Sequence, residues 1–106
     1  MSLERIIEAI VRLGLSRVEA EVYVYIANNG PQEAVVLVKA FNIKKSTINV
    51  NLRNLKKRGL VTKKGILFSA LPFEEALELL IETERKQANH IQENKENLLA
   101  SWKKEK

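Results

Sequence analysis

Nine cationic side chains fall between Ala34 and Phe73, and no carboxylate falls among them. They are Lys39, Lys44, Lys45, Arg53, Lys56, Lys57, Arg58, Lys63 and Lys64. All 13 acids of the chain are glutamates, and every one lies outside that stretch. A solvated surface ordinarily mixes both signs, whereas a one-sign surface suits a polyanion. Uncharged side chains in the same stretch add a second chemistry. Asn49 carries the donor–acceptor pair that matches the major-groove edge of adenine, and Arg53 the fork that matches guanine or a phosphate. Ser46 and Thr47 suit base edges or phosphates, and Val50 suits a thymine methyl. Lys44, Lys45, Lys57, Lys63 and Lys64 suit backbone phosphates, contacts that position a protein without specifying a sequence.

Other chemistries lack their residues. The chain has no Asp, no Cys and one His, His90. Serine-type triads, cysteine nucleophiles and clustered metal ligands need residue types that are missing. No enzyme, metal or cofactor is expected. A length of 106 residues with 45% hydrophobic content fits one small domain with a modest core. No apolar run approaches the roughly 20 residues that span a membrane. Met1-Ser2-Leu3-Glu4-Arg5 lacks the cationic start and apolar middle of a signal peptide. A cytoplasmic protein without membrane contact is the expectation. The net charge of +5 agrees with a polyanionic partner.

The periodicity predicts the elements that present these side chains. Leu3, Ile6, Ile7, Ile10 and Val11 form a helical stripe that ends at Gly14. Ser16 and Glu19 have the spacing of a capping box, opening a helix from Arg17 to about Asn28. Its apolar stripe reads Val18, Val22, Tyr25 and Ile26, and Asn28-Asn29-Gly30-Pro31 stops it. A short helix from about Glu33 to Phe41 follows, with Ala34, Leu37, Val38 and Phe41 inward. Asn42 stands at a sharp turn, with Ile43 as its buried pivot. The next helix is predicted over Lys45–Arg58. Ile48, Leu52 and Leu55 then face the core, while Ser46, Asn49, Val50, Arg53 and Lys57 face away, with Thr47 and Asn54 on the flank. Gly59 caps it. Leu60–Lys63 and Ile66–Ser69 read as two strands joined at Lys64-Gly65, a short wing with Lys63 and Lys64 at its tip.

Pro72 begins the last element, and no Gly or Pro occurs from Phe73 to about Lys103. At about 1.5 Å per residue such a helix would reach about 45 Å, too long for the rest of the chain to cover. Its seam runs Leu77, Ile81, Glu84, Ala88, Ile91, Lys95, Leu98, Trp102. An equivalent helix of a second copy is the simplest partner, through Leu77, Ile81, Ala88, Ile91, Leu98 and Trp102. The expected architecture is mainly α with a small two-stranded β-hairpin. It is a winged helix-turn-helix over residues 1–71 and a long coiled-coil-like dimerisation helix over 72–106.

At this point the chain resembles the TrmB-like family of archaeal winged-helix transcription regulators. The resemblance rests on Leu13-Gly14-Leu15-Ser16, Glu19-Ala20-Glu21-Val22-Tyr23, Gly30-Pro31 and Asn42-Ile43-Lys44-Lys45-Ser46-Thr47-Ile48. It continues through Leu52-Arg53-Asn54-Leu55, Lys57-Arg58-Gly59-Leu60-Val61 and Ala70-Leu71-Pro72-Phe73-Glu74-Glu75-Ala76. It implies that the helix from Lys45 to Arg58 enters the major groove and that the wing, Lys63–Gly65, touches flanking backbone. The chain departs from the family pattern where Asn49 replaces a common aromatic and where the wing lacks a Gly-Arg-Pro sequence. Many members continue into a large sugar-binding domain, so sugar sensing is not carried over.

The leading expectation is a homodimeric regulator of transcription on double-stranded DNA. Two readings compete: an architectural, chromatin-type DNA binder with little sequence preference, and a protein-interaction module built on the same scaffold. The specificity ratio between cognate and random duplexes separates the first two.

Overall fold

The computed structural model describes residues 3–83 and 85. Helix α1 (Leu3–Arg12) ends where Gly14 takes a φ of 111°. There the Gly14 N–H donates to the Val11 carbonyl and the Leu15 N–H to that of Ile10. This paired closure satisfies carbonyls that a helix end leaves free, and it drops Leu15 into the core. Helix α2 (Arg17–Asn29) opens with the expected box: the Ser16 N–H donates to the Glu19 carboxylate at 2.9 Å, and the Glu19 N–H to Ser16 Oγ at 3.2 Å. Arg17 ties the two helices at the surface by pairing with Glu4 and Glu21.

Helix α2 is the centre of the molecule. The expected stripe described one face, yet Ala20, Val22, Tyr23, Val24 and Ile26 are all buried, while Val18 and Tyr25 are half-buried. The reason is position. Helix α1, the helix that follows the sharp turn and the last strand all pack on α2, so it is covered on several sides rather than along one stripe.

After Gly30-Pro31 come strand β1 (Gln32–Glu33) and helix α3 (Ala34–Phe41). Asn42 turns the chain in the left-handed region, at φ 52° and ψ 46°. Helix α4 (Lys45–Lys57) follows, one residue shorter than expected, with Arg58 as its C-cap. Gly59 lies just beyond, at φ 80°; its N–H donates to the Lys56 carbonyl, and the Leu60 N–H donates to that of Leu55. Leu60 therefore belongs to the helix closure, and this moves the hairpin.

Strands β2 (Val61–Lys64) and β3 (Leu67–Ala70) are each one residue later than expected. The turn is Gly65-Ile66, not Lys64-Gly65, because Gly65, at φ 64°, takes the first central position of a two-residue loop. The sheet has three strands rather than two, in the order β1-β3-β2, all antiparallel. β1 escaped notice because two polar residues after Gly-Pro carry no strand pattern. Its partner is supplied from far along the chain, Gln32 opposite Phe68 and Glu33 opposite Leu67.

The last helix, α5, starts at residue 73 and is helical throughout 73–83. The Ala76 N–H donates to the Pro72 carbonyl, so Pro72 stands at the helix start. Ala76 and Leu80 join the single core formed by Ile10, Leu15, α2, Leu37, Ile48, Leu52, Leu55, Leu60 and Val61. Of the expected dimer seam, Leu77 is half-buried and Ile81 is exposed. Ala88, Ile91, Leu98 and Trp102 lie outside the described residues, as do Glu84, Lys95 and His90.

Candidate nucleic-acid interface

Helix α4 divides as its periodicity requires. Ile48, Leu52 and Leu55 are buried to 1% exposure or less, which fixes the rotation of the helix. Ser46, Thr47, Asn49, Val50, Arg53, Asn54 and Lys57 are all exposed, as are Lys44, Lys45, Lys63 and Lys64. Asn51 is a polar residue on the buried side. Its amide donates to the Thr47 carbonyl at 2.7 Å, and its spacing from Ile48, Leu52 and Leu55 completes an i, i+3, i+4, i+7 stripe that could have revealed it.

The candidate residues fall into three groups. Lys45, Asn49 and Lys63 line one groove between α4 and the sheet, together with Glu33, Ile66 and Phe68. Pairing explains why Lys63 is there: it stands opposite Phe68, on the same face as Val61 and Ala70, and its ammonium sits 5.6 Å from the Phe68 ring centroid. Lys64 and Leu67 point to the opposite face. The two wing lysines are thus not brought together, and the wing tip is Gly65-Ile66 rather than a pair of lysines. Ser46, Val50 and Arg53 occupy the open face of α4. Asn54 and Lys57 lie at its far end, beside Glu19 and Arg58.

The start of α4 carries no side-chain cap, and Lys44 and Lys45 stand where the helix dipole disfavours cations. Free backbone amides and two ammonium groups at one helix N-terminus match the needs of a phosphate. Arg58 has a different task. Its guanidinium donates to the Gly14 carbonyl at 3.2 Å and ties the end of α4 to the closing turn of α1.

Glu33 was not among the expected residues. Its side chain caps no amide of α3 and forms no ion pair among the described residues, yet it borders the groove beside Lys45 and Asn49. Its place just outside the acid-free stretch was the available signal.

Among the described residues no helix is long and apolar enough to cross a membrane, and no cluster of His, Cys, Asp or Glu could hold a metal ion. No curated protein matches the chain. Its fold is similar to that of the transcriptional regulator Tm0710 from Thermotoga maritima, with a TM-score of 0.60 at 20% identity, over 97% of this chain and 82% of that one. The family described as "Sugar-specific transcriptional regulator TrmB" matches residues 11–74, from the end of α1 to the start of α5. That segment is more than half of the 106 residues and contains α2, α3, α4 and all three strands, so the chain belongs to the TrmB family of transcriptional regulators.

Proposed function

We propose that this protein is a homodimeric, sequence-specific regulator of transcription that acts in the cytoplasm on double-stranded DNA. The observation that carries the reading is the division of α4: a core side locked by Ile48, Leu52 and Leu55, and an outer side of exposed Ser46, Asn49, Val50 and Arg53. Such a helix is held rigidly enough to present side chains to base edges in a major groove. Lys44 and the helix start take a phosphate, Lys45 and Lys63 take backbone along the groove they share, and Lys57 and Asn54 take backbone at the far end. Lys64, on the other face of the hairpin, reaches a neighbouring phosphate. The winged body over residues 1–71 does the binding, and the helix from 72 onward joins two copies. Exposed or partly exposed Phe73, Leu77 and Ile81, at spacings of four, begin the required seam.

Selection of bound sequences from a random duplex library tests this directly. A palindrome with half-sites about 34 Å apart is the expected result. Asn49→Ala and Arg53→Ala should each weaken binding to that site by roughly 5- to 150-fold, equivalent to about 1–3 kcal/mol, and weaken random-duplex binding far less. Equal losses on both duplexes, or no enriched sequence, would replace base readout with an architectural role.

A further inference from the structure

The tip of the wing is apolar. Ile66 is 67% exposed, the most exposed of the large hydrophobic residues described. It occupies the second central position of the Gly65-Ile66 turn, at the rim of the groove between α4 and the sheet. Leu67, the next residue, is 42% exposed. Packing does not ask for these side chains, and a turn of this kind is ordinarily served by a small polar residue. The surroundings identify what would cover them. Lys63 and Lys64 precede the tip on β2, Lys45 lines the groove behind it, and Glu33 is the one carboxylate that borders that groove. An apolar point set among cations complements a duplex, whose deoxyribose walls and stacked base faces are apolar between rows of phosphates.

We propose that Ile66 is a wedge, which the wing presses into the minor groove beside the major groove taken by α4. The inference rests on the duplex-binding function proposed above and adds a kind of contact that function did not include. Lysine contacts to phosphate release counterions, so their contribution falls as salt rises, with a slope of about 0.9 per phosphate. A wedge contributes by removing apolar surface from water and is nearly indifferent to salt. Side chains of this type also part base steps and bend the duplex.

The test is a salt titration of the full chain on its selected duplex, with Ile66→Ala, Ile66→Ser and Ile66→Arg beside wild type. The duplex carries donor and acceptor dyes at its ends, so that bending is read in the same samples. Ile66→Ala and Ile66→Ser should lower affinity roughly three- to tenfold, as the loss of about half an isoleucine's burial implies. They should leave the slope of log affinity against log salt unchanged and reduce energy transfer in the complex. Ile66→Arg should steepen the slope by about one unit, because it exchanges an apolar contact for a phosphate contact. Ile66 is exposed, so these variants keep the fold, and matching melting curves verify it. Affinity within twofold of wild type for Ile66→Ala and Ile66→Ser overturns the wedge. So does a loss that comes with a shallower slope. Unchanged duplex binding with reduced self-association overturns it in favour of contact with a second copy. Failure of wild type to bind any duplex at low salt overturns the proposed function itself, a different result from any of these.

Discussion

Single residues show where stability and binding pull apart. Lys45 stands in the first turn of α4, where the helix dipole favours an acid and no acid is present. Lys45→Glu should therefore stabilise the fold, by about 0.3–1 kcal/mol. The same change should weaken duplex binding at least tenfold, since it removes the phosphate contact proposed for Lys45 and adds a repulsion. Thermal melting and a binding titration on the same variant check both halves; a destabilised variant would contradict the dipole argument. Tyr23 presents the opposite case, a polar atom that serves only the fold. Its ring is 1% exposed and its hydroxyl donates to the Leu71 carbonyl. Burial pushes its pKa from 10.0 up to about 12. Below pH 10 the hydroxyl is protonated whether the chain is folded or not, and its contribution is complete. Between pH 10 and about 12 the unfolded chain releases the proton first, so stability falls as pH rises. Tyr23→Phe leaves the carbonyl without its donor and should cost about 1–2 kcal/mol at neutral pH. Its deficit relative to wild type should shrink through that alkaline window, as measured by denaturant unfolding at stepped pH.

At the scale of elements, what could be read from sequence was what local chemistry dictates. The capping box at Ser16, the left-handed turn at Asn42 and the inward triad of α4 each follow from residues within one or two turns of one another. Two of the three departures come from distant neighbours, and the third from a helix closure. α2 is buried on several sides because three other elements happen to meet there, and β1 is a strand only because β3 is beside it. The hairpin moved by one residue because the closure of α4 claims Leu60 before a strand can begin. Alternation along β2 puts Lys63 on the face of Val61, toward the groove, and Lys64 on the other. The outward-facing residues of α4 were legible because charge pattern and helical period agree over that helix. Glu33 and Ile66 were not, because their neighbours in space come from other elements.

At the scale of the whole molecule, the proposed dimer makes α5 a shared element. Its Ala76 and Leu80 belong to the core of the winged body, while Ile81 is exposed on another side. Ile81→Lys should then leave each body folded and weaken the association of two copies. Sedimentation should show the mass shifting toward a single chain, and binding to the palindrome should fall more than binding to a half-site. A full-mass dimer with unchanged palindrome affinity would remove this part of the seam from the interface.

The junction between β3 and α5 is short: only Leu71 and Pro72 lie between Ala70 and the helix at 73. Both backbone polar groups of Leu71 are held, its N–H by the Leu60 carbonyl and its carbonyl by Tyr23, and Pro72 has a fixed φ and no N–H to lose. Leu60 is in turn bonded to Leu55, inside α4. A lever built with no play at its fulcrum moves as one piece with its load. In the proposed dimer, two such joints would hold the two winged bodies like a caliper set to one opening. Insertions into an operator's centre would then be rejected abruptly rather than tolerated by degrees.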